Sequence, residues 1–270
     1  MKTILVQLES GPAASALLQC ALDLARAENA HLTCLAVTPL NSFVTADPFG
    51  GIYAMPTVLA AITEVEETLR AELETRLAGE DFSWEYRHVN GYPPAAIAAH
   101  ARLADLVVLG KPTTGHAGRE AMALLGEVVL NVSAPVLAVP ETARGIDASA
   151  PAAIGWNGSI EAANAVRAAL PLLRRAASIT VIAVAEENAH DLPDADVCDY
   201  LSRHGLTASL ECLEAGEPNV AEALLRTLDE VGAGLFVMGA YGHSRVREYM
   251  FGGVTRRMLS DLPVPLLLAH

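Results

Sequence analysis

Leu106-Val107-Val108-Leu109-Gly110 and Leu235-Phe236-Val237-Met238-Gly239 have the same pattern, an apolar run closed by glycine, 129 residues apart. Apolar residues without alternation, stopped by glycine, describe a strand buried on both faces. The repeat implies that the unit around this strand occurs twice. Ala30 to Val37 matches Ala177 to Val184 at an offset of 147, so the second unit has a shorter helix and loop in between.

Outward from these strands, periodicity predicts the same order of elements in each half. The first half reads as a strand at Thr3 to Leu8, a turn at Glu9-Ser10-Gly11-Pro12 and a helix at Ala13 to Glu28. A strand at His31 to Val37 is followed by a long loop, Asn41 to Pro56, rich in Gly and Pro. A helix at Thr57 to Ala78 carries Glu66/Arg70 and Glu72/Arg76 at i,i+4. Then come a strand at Phe82 to Val89, the turn Gly91-Tyr92-Pro93 and a helix from Pro94 to Leu103. The half closes with a helix at Glu120 to Asn131 and a strand at Pro135 to Val139. In the second half, Asn157-Gly158-Ser159 follows the first strand, and Gly216-Glu217-Pro218 matches Gly91-Tyr92-Pro93. The last helix is predicted at Val254 to Leu262 and the last strand at Pro265 to Ala269.

Strands alternating with helices imply an α/β fold: two tandem five-stranded parallel sheets, each covered on both faces. The expected domains are residues 1–141 and 152–270, joined by a linker at 142–151.

Composition narrows the function. The chain has 270 residues, 52% hydrophobic and 19% charged, and a net charge of −14. That balance argues against disorder, nucleic-acid binding and attachment to an anionic membrane. No run approaches the roughly 20 apolar residues of a membrane span, and the start reads as a strand, not a signal peptide. A cytoplasmic protein is therefore expected. Cys20, Cys34, Cys198 and Cys212 form no C-x-x-C pair and read as small core residues. No metal site is expected; His31-Leu32-Thr33-Cys34 lacks a second ligand pair.

Ligands of such sheets sit at the carboxyl ends of strands, near the switch in strand order. There the second half reads Gly239-Ala240-Tyr241-Gly242, nine residues, then Gly252-Gly253-Val254-Thr255. Glycines allow close backbone approach, and a helix start favours an anion. From His243 to Arg257 four arginines face one acid, Glu248, a local +3 in an acidic chain. Arg256 and Arg257 near a helix N-terminus cost a few tenths to about 1 kcal/mol, which a bound phosphate would relieve. An ordinary glycine loop with solvated arginines reads equally well from spacing alone.

G-x-x-G, nine residues, then G and a small residue resembles the nucleotide loop of the universal stress proteins. Trp156-Asn157-Gly158-Ser159, Gly216-Glu217-Pro218 and Pro263-Val264-Pro265-Leu266-Leu267-Leu268 resemble further segments of that family. The resemblance covers almost the whole chain, twice, as in a tandem member. It makes the last strands dimer edges, so Val136 to Val139 and Leu266 to Ala269 are expected to pair within the chain and not to leave an apolar edge open to aggregation. It implies a Rossmann-like, adenine nucleotide alpha hydrolase-like sandwich binding ATP, with or without magnesium, in the second half. It places Asn157 where an Asp meets the nucleoside, and Val184 at the strand end facing adenine. It sets Met238, Gly239 and Gly242 beside ribose and phosphates, and Gly252, Gly253, Val254 and Thr255 around the phosphates. Asn157 for Asp and Gly253 for Ser or Thr depart from the family pattern. Trp156 is bulky enough to wall the base or to take its place.

The first half departs further. Glu9-Ser10-Gly11 replaces the first turn, Lys111-Pro112-Thr113-Thr114-Gly115 breaks the glycine spacing, and Glu127 follows Gly126 where a phosphate is expected. One nucleotide per chain is therefore expected. The implied role is a stress-response regulatory protein with an unidentified protein client, and with room for a homodimer beyond the internal pairing. A nucleotide-free interaction module is the alternative. No nucleophile elbow, P-loop lysine or paired carboxylates mark an enzyme, and His243 reads as a loop histidine, so at most weak ATP hydrolysis is expected.

Overall fold

The computed structural model describes residues 1–8, 12–39, 45–46, 52–53, 56–111, 115–184, 194–213, 220–241 and 252–270. In the first half, β1 (Thr3–Leu8), α1 (Pro12–Glu28) and β2 (His31–Thr38) lead to two short strands, β3 (Thr45–Ala46) and β4 (Ile52–Tyr53). Then come α2 (Pro56–Leu77), β5 (Trp84–Asn90), α3 (Pro93–His100) with a 3-10 turn at Ala101–Leu103, β6 (Leu106–Gly110), α4 (Gly115–Asn131) and β7 (Val136–Val139). The second half runs β8 (Ala152–Trp156), α5 (Ile160–Leu173), β9 (Ile179–Val184), α6 (Asp194–Arg203) and β10 (Ser209–Leu213). It ends with α7 (Val220–Glu230), β11 (Leu235–Gly239), α8 (Gly253–Asp261) and β12 (Leu266–Ala269).

Ten strands form one sheet in the order β10-β9-β8-β11-β12-β7-β6-β1-β2-β5. Each half contributes five parallel strands with the same spatial order, third-second-first-fourth-fifth. The halves meet at β12 and β7, which pair antiparallel with Leu267 opposite Leu137. Every residue of these two strands is buried, so the expected pairing of the last strands is what the structure has. Because the seam is antiparallel, the carboxyl ends of the strands open on opposite rims of the sheet.

Helices cover both faces. Leu17 and Leu24 of α1, Leu73 of α2, Val166 of α5 and Val197 of α6 pack on one face. Ile97 of α3, Val128 of α4, Leu224 of α7 and Met258 of α8 pack on the other. Burying such a side chain stabilises by about 1.5–3 kcal/mol relative to leaving it in water, and the pattern follows the alternation of each strand.

Several expectations change. The segment from Asn41 to Pro56 contains an antiparallel pair, Thr45 with Tyr53 and Ala46 with Ile52; most of its other residues lie outside the described ones. Helix α4 begins at Gly115, not Glu120. Gly118 and Gly126 inside it weaken a helix by up to about 1 kcal/mol each, but Leu125, Val128 and Val129 anchor it in the core. Cys20 and Cys34 are buried, whereas Cys198 is half-buried and Cys212 is exposed on β10. Strand β10 lies at the edge of the sheet and is covered on neither face over Ser209 to Cys212.

The place assigned to Glu127 is also wrong. Val107 pairs with Val136, and Phe236 with Leu266, so the last helix and strand of the two halves correspond at an offset of 130. Gly252 and Gly253 then match Met122 and Ala123, and Glu127 matches Arg257. Met122 and Ala123 lie inside α4, with their amides in the helix ladder. The first half has no helix start at that level. Its Glu127 instead accepts both contacts of the Tyr92 hydroxyl, at 2.7 and 2.8 Å.

Candidate functional site

The switch in strand order of the second half falls between β8 and β11. At the carboxyl ends of these strands a cleft of about 270 Å³ opens. Gly155, Trp156, Asn157 and Ser159 line it from the first strand and turn, and Phe236, Met238, Gly239 and Tyr241 from the fourth. Val220 and Leu224 of α7, with Gly252, Gly253, Val254 and Thr255 at α8, complete it. Seven of the nine residues expected at the site thus share one cleft: Asn157, Met238, Gly239, Gly252, Gly253, Val254 and Thr255. Val184 ends β9 one residue past Ala183, the partner of Trp156. Gly242 lies outside the described residues, as do His243, Arg245, Arg247 and Gly216-Glu217-Pro218.

The two helices that begin at this cleft start differently. Ser159 caps α5, its hydroxyl accepting from the Ala162 amide at 3.1 Å. Asn157 Oδ1 accepts from the Ser159 amide at 3.3 Å, and Gly158 takes φ +76° between them. A local turn therefore already accounts for Asn-Gly-Ser. Helix α8, by contrast, has Gly252 at its N-cap and no side-chain cap. Its first backbone bond runs from the Arg256 amide to the Gly252 carbonyl, so the amides of Gly253, Val254 and Thr255 precede the ladder. Amides in this position, with the helix dipole behind them, form an anion cradle.

The glycines separate by cause. A Cβ at Gly239 would lie 2.5 Å from the Ala162 nitrogen and 2.6 Å from the Glu161 carbonyl carbon, so this glycine admits the backbone of α5. A Cβ at Gly155 would lie 2.9 Å from Phe236 Cζ. At Gly252 and Gly253 a Cβ would meet nothing within 4 Å among the described residues, and neither has a positive φ. Packing and backbone conformation thus account for Gly155 and Gly239 and leave Gly252 and Gly253 unexplained.

The side chain of Trp156 settles between the two expectations. Gly155 and Trp156 alternate, and the indole is only 3% exposed in the core with Ala162, Val166 and Val197. It borders the cleft from that side without filling it. Its Nε1 has no hydrogen-bond partner among the described residues. Arg257 is not available to an anion at the N-terminus, because its Nε pairs with Asp261 Oδ2 at 2.7 Å, one turn onward.

Sequence reasoning missed Tyr241, which lines the cleft with φ +65°. Its ring meets His270 edge-on with centroids 6.0 Å apart. Burial, with Glu127 of the first half nearby, pushes its hydroxyl pKa up to about 12. The signal for it was position alone: the second residue past the fourth strand. Ser159 was visible as the end of the Asn-Gly-Ser turn but was not assigned to the site. Among the described residues no group of His, Cys, Asp and Glu is arranged to hold a metal ion, and no helix is long and apolar enough to cross a membrane.

A family model described as the universal stress protein family matches residues 1–140. No curated protein matches the chain. The fold is similar to that of a universal stress protein from Archaeoglobus fulgidus DSM 4304, with a TM-score of 0.75 and 15% identity over 99% of this chain and 97% of that one. A functionally unknown protein from Pseudomonas aeruginosa PAO1 is similar with a TM-score of 0.58 and 15% identity, over 99% and 92%. At these identities the likeness is one of fold.

Proposed function

We propose, from the premise that this chain belongs to the universal stress protein family, that it is a stress-response regulatory protein holding one adenine nucleotide in its second half. In this reading residues 1–141 and 152–270 are two domains of the same kind, joined by 142–151. ATP is the nucleotide. Its phosphates lie against the amides of Gly253, Val254 and Thr255, Gly252 leaves the approach open, and Gly242 borders it. Met238 and Gly239 pass the ribose, Asn157 meets the nucleoside, and the end of β9 at Val184 faces the base. Magnesium, where present, arrives with the phosphates. The protein works in the cytoplasm by presenting its nucleotide state to a protein client, and hydrolysis is at most a trace activity.

One observation carries this reading. The start of α8 has no side-chain cap, opens on the cleft at the strand switch, and has two glycines that neither backbone conformation nor packing among the described residues requires. The first half lacks the equivalent, since its matching amides are inside α4.

Calorimetry with ATP, beside mass spectrometry of any ligand released on denaturation, tests it. Gly253→Asp puts a carboxylate on the cradle while favouring the helix N-terminus by a few tenths of a kcal/mol, so the fold survives. The expected result is one site per chain and loss of ATP binding in the variant with its thermal melt retained. Unchanged affinity in the variant, or two equivalent sites, contradicts the placement. A wild-type chain that neither carries nor binds a nucleotide is an interaction module instead.

A further inference from the structure

Lys111 is the first residue past β6, on the rim that belongs to the first half. It is only 7% exposed. Its ammonium crosses the seam and donates to the carbonyl of Leu262, the C-cap of α8, 151 positions along the chain. Burial pulls its pKa down to about 8, while the Asp261 carboxylate favours the charged form. A buried ammonium resting on a carbonyl is costly, and a position that only needed filling would take an aliphatic residue.

The end of α8 makes use of such a donor. Leu262 is followed by Pro263-Val264-Pro265, and prolines bring no N–H to the last carbonyls of a helix. A cation there also complements the helix dipole. The arrangement is one-sided: the residue that corresponds to Lys111 in the second half is Ala240, which is buried and uncharged. The cation is thus provided to the helix with the open start, α8, and not to α4.

Helix α8 spans the two rims. Its N-terminus lines the cleft on the second half's rim, and its C-terminus lies beside Lys111 on the first half's rim. Nine residues at about 1.5 Å each make a rod of roughly 13 Å between the two points. We propose that Lys111 is a positioning residue for the anion cradle: held at its far end from the first half, α8 keeps the amides of Gly253, Val254 and Thr255 aimed into the cleft. This inference rests on the nucleotide reading above for its effect on affinity, but not for its effect on α8.

Lys111→Met and Lys111→Arg in the full chain test it, read by hydrogen exchange and by ATP calorimetry. Expected in Lys111→Met is faster exchange confined to the α8 amides from Arg256 to Leu262, with ATP binding weakened roughly fivefold, the low end of coupling between linked sites. Lys111→Arg, which keeps a charged donor, is expected to restore both. Exchange in α8 that rises no more than in α7, or an arginine variant that behaves like the methionine one, overturns the proposal. If the wild type binds no ATP, the nucleotide reading fails, and the exchange comparison still decides the role of Lys111.

Discussion

Gly239 and Gly252 belong to one motif and are glycine for different reasons. Gly239→Ala drives a methyl into the backbone of α5 at 2.5 Å, and overpacking of this kind costs about 1–3 kcal/mol. Urea unfolding is expected to show that loss. Gly252→Ala meets nothing within 4 Å among the described residues at φ −59°, so it loses only the preference of an N-cap for glycine over alanine, no more than about 1 kcal/mol, while ATP affinity falls. Equal stability losses in the two variants would contradict this division. A second residue-level expectation concerns alkali. Burial holds the Cys34 thiol at about 12, above its ordinary 9.0. The unfolded chain therefore loses that proton first, and stability falls as pH rises from 9 toward 12. Lys111 acts in the opposite sense between about 8 and its ordinary 10.5. The gap in stability between wild type and Cys34→Val is expected to move against the wild type above pH 9 in chemical unfolding; a constant gap would refute the shift. At this scale the sequence was readable where residue type and position coincide, as at Gly252. It misled at Glu127, because the glycine before it suggested a match to Gly252, whereas the register of the last strands sets Glu127 level with Arg257, further along the helix.

Among the elements, β10 stands apart because neither of its faces is covered from Ser209 to Cys212. Cys212 is accordingly expected to react with a thiol reagent in the native protein, and Cys198 more slowly. Cys20 and Cys34, buried and with raised pKa values, are expected to react only on unfolding. Simultaneous reaction of all four would mean that the core opens more readily than its packing implies. The strands at the centre of the sheet were legible as short apolar runs, whereas β5 and β10, at its two edges, carry polar and charged residues and were recognised by their place in the repeated order. The start of α4 was not legible, because its glycines signal a loop and only packing at Val128 and Val129 decides otherwise.

The whole molecule depends on the seam. Val136 to Val139 and Leu266 to Ala269 are buried, and Val136 to Ala138 pair with Leu266 to Leu268 only because both halves are present. Each half produced alone would leave an apolar edge open, and self-association or aggregation is expected in sedimentation. Two soluble monomeric halves would show that the seam is dispensable. The pairing could be anticipated because the apolar last strands resemble the dimer edges of the family. The contact of Lys111 with Leu262 could not, because nothing local marks a lysine that crosses to a carbonyl 151 residues away.

The antiparallel seam gives the molecule a head and a tail. Strand ends of the two halves face away from each other, so a partner gripping the first half's rim shares no surface with a ligand at the other. A chain tethered by its tail still offers its head to the surroundings. Ten strands and the helices packed on them run from one rim to the other, so the two ends are joined through the whole body of the sheet.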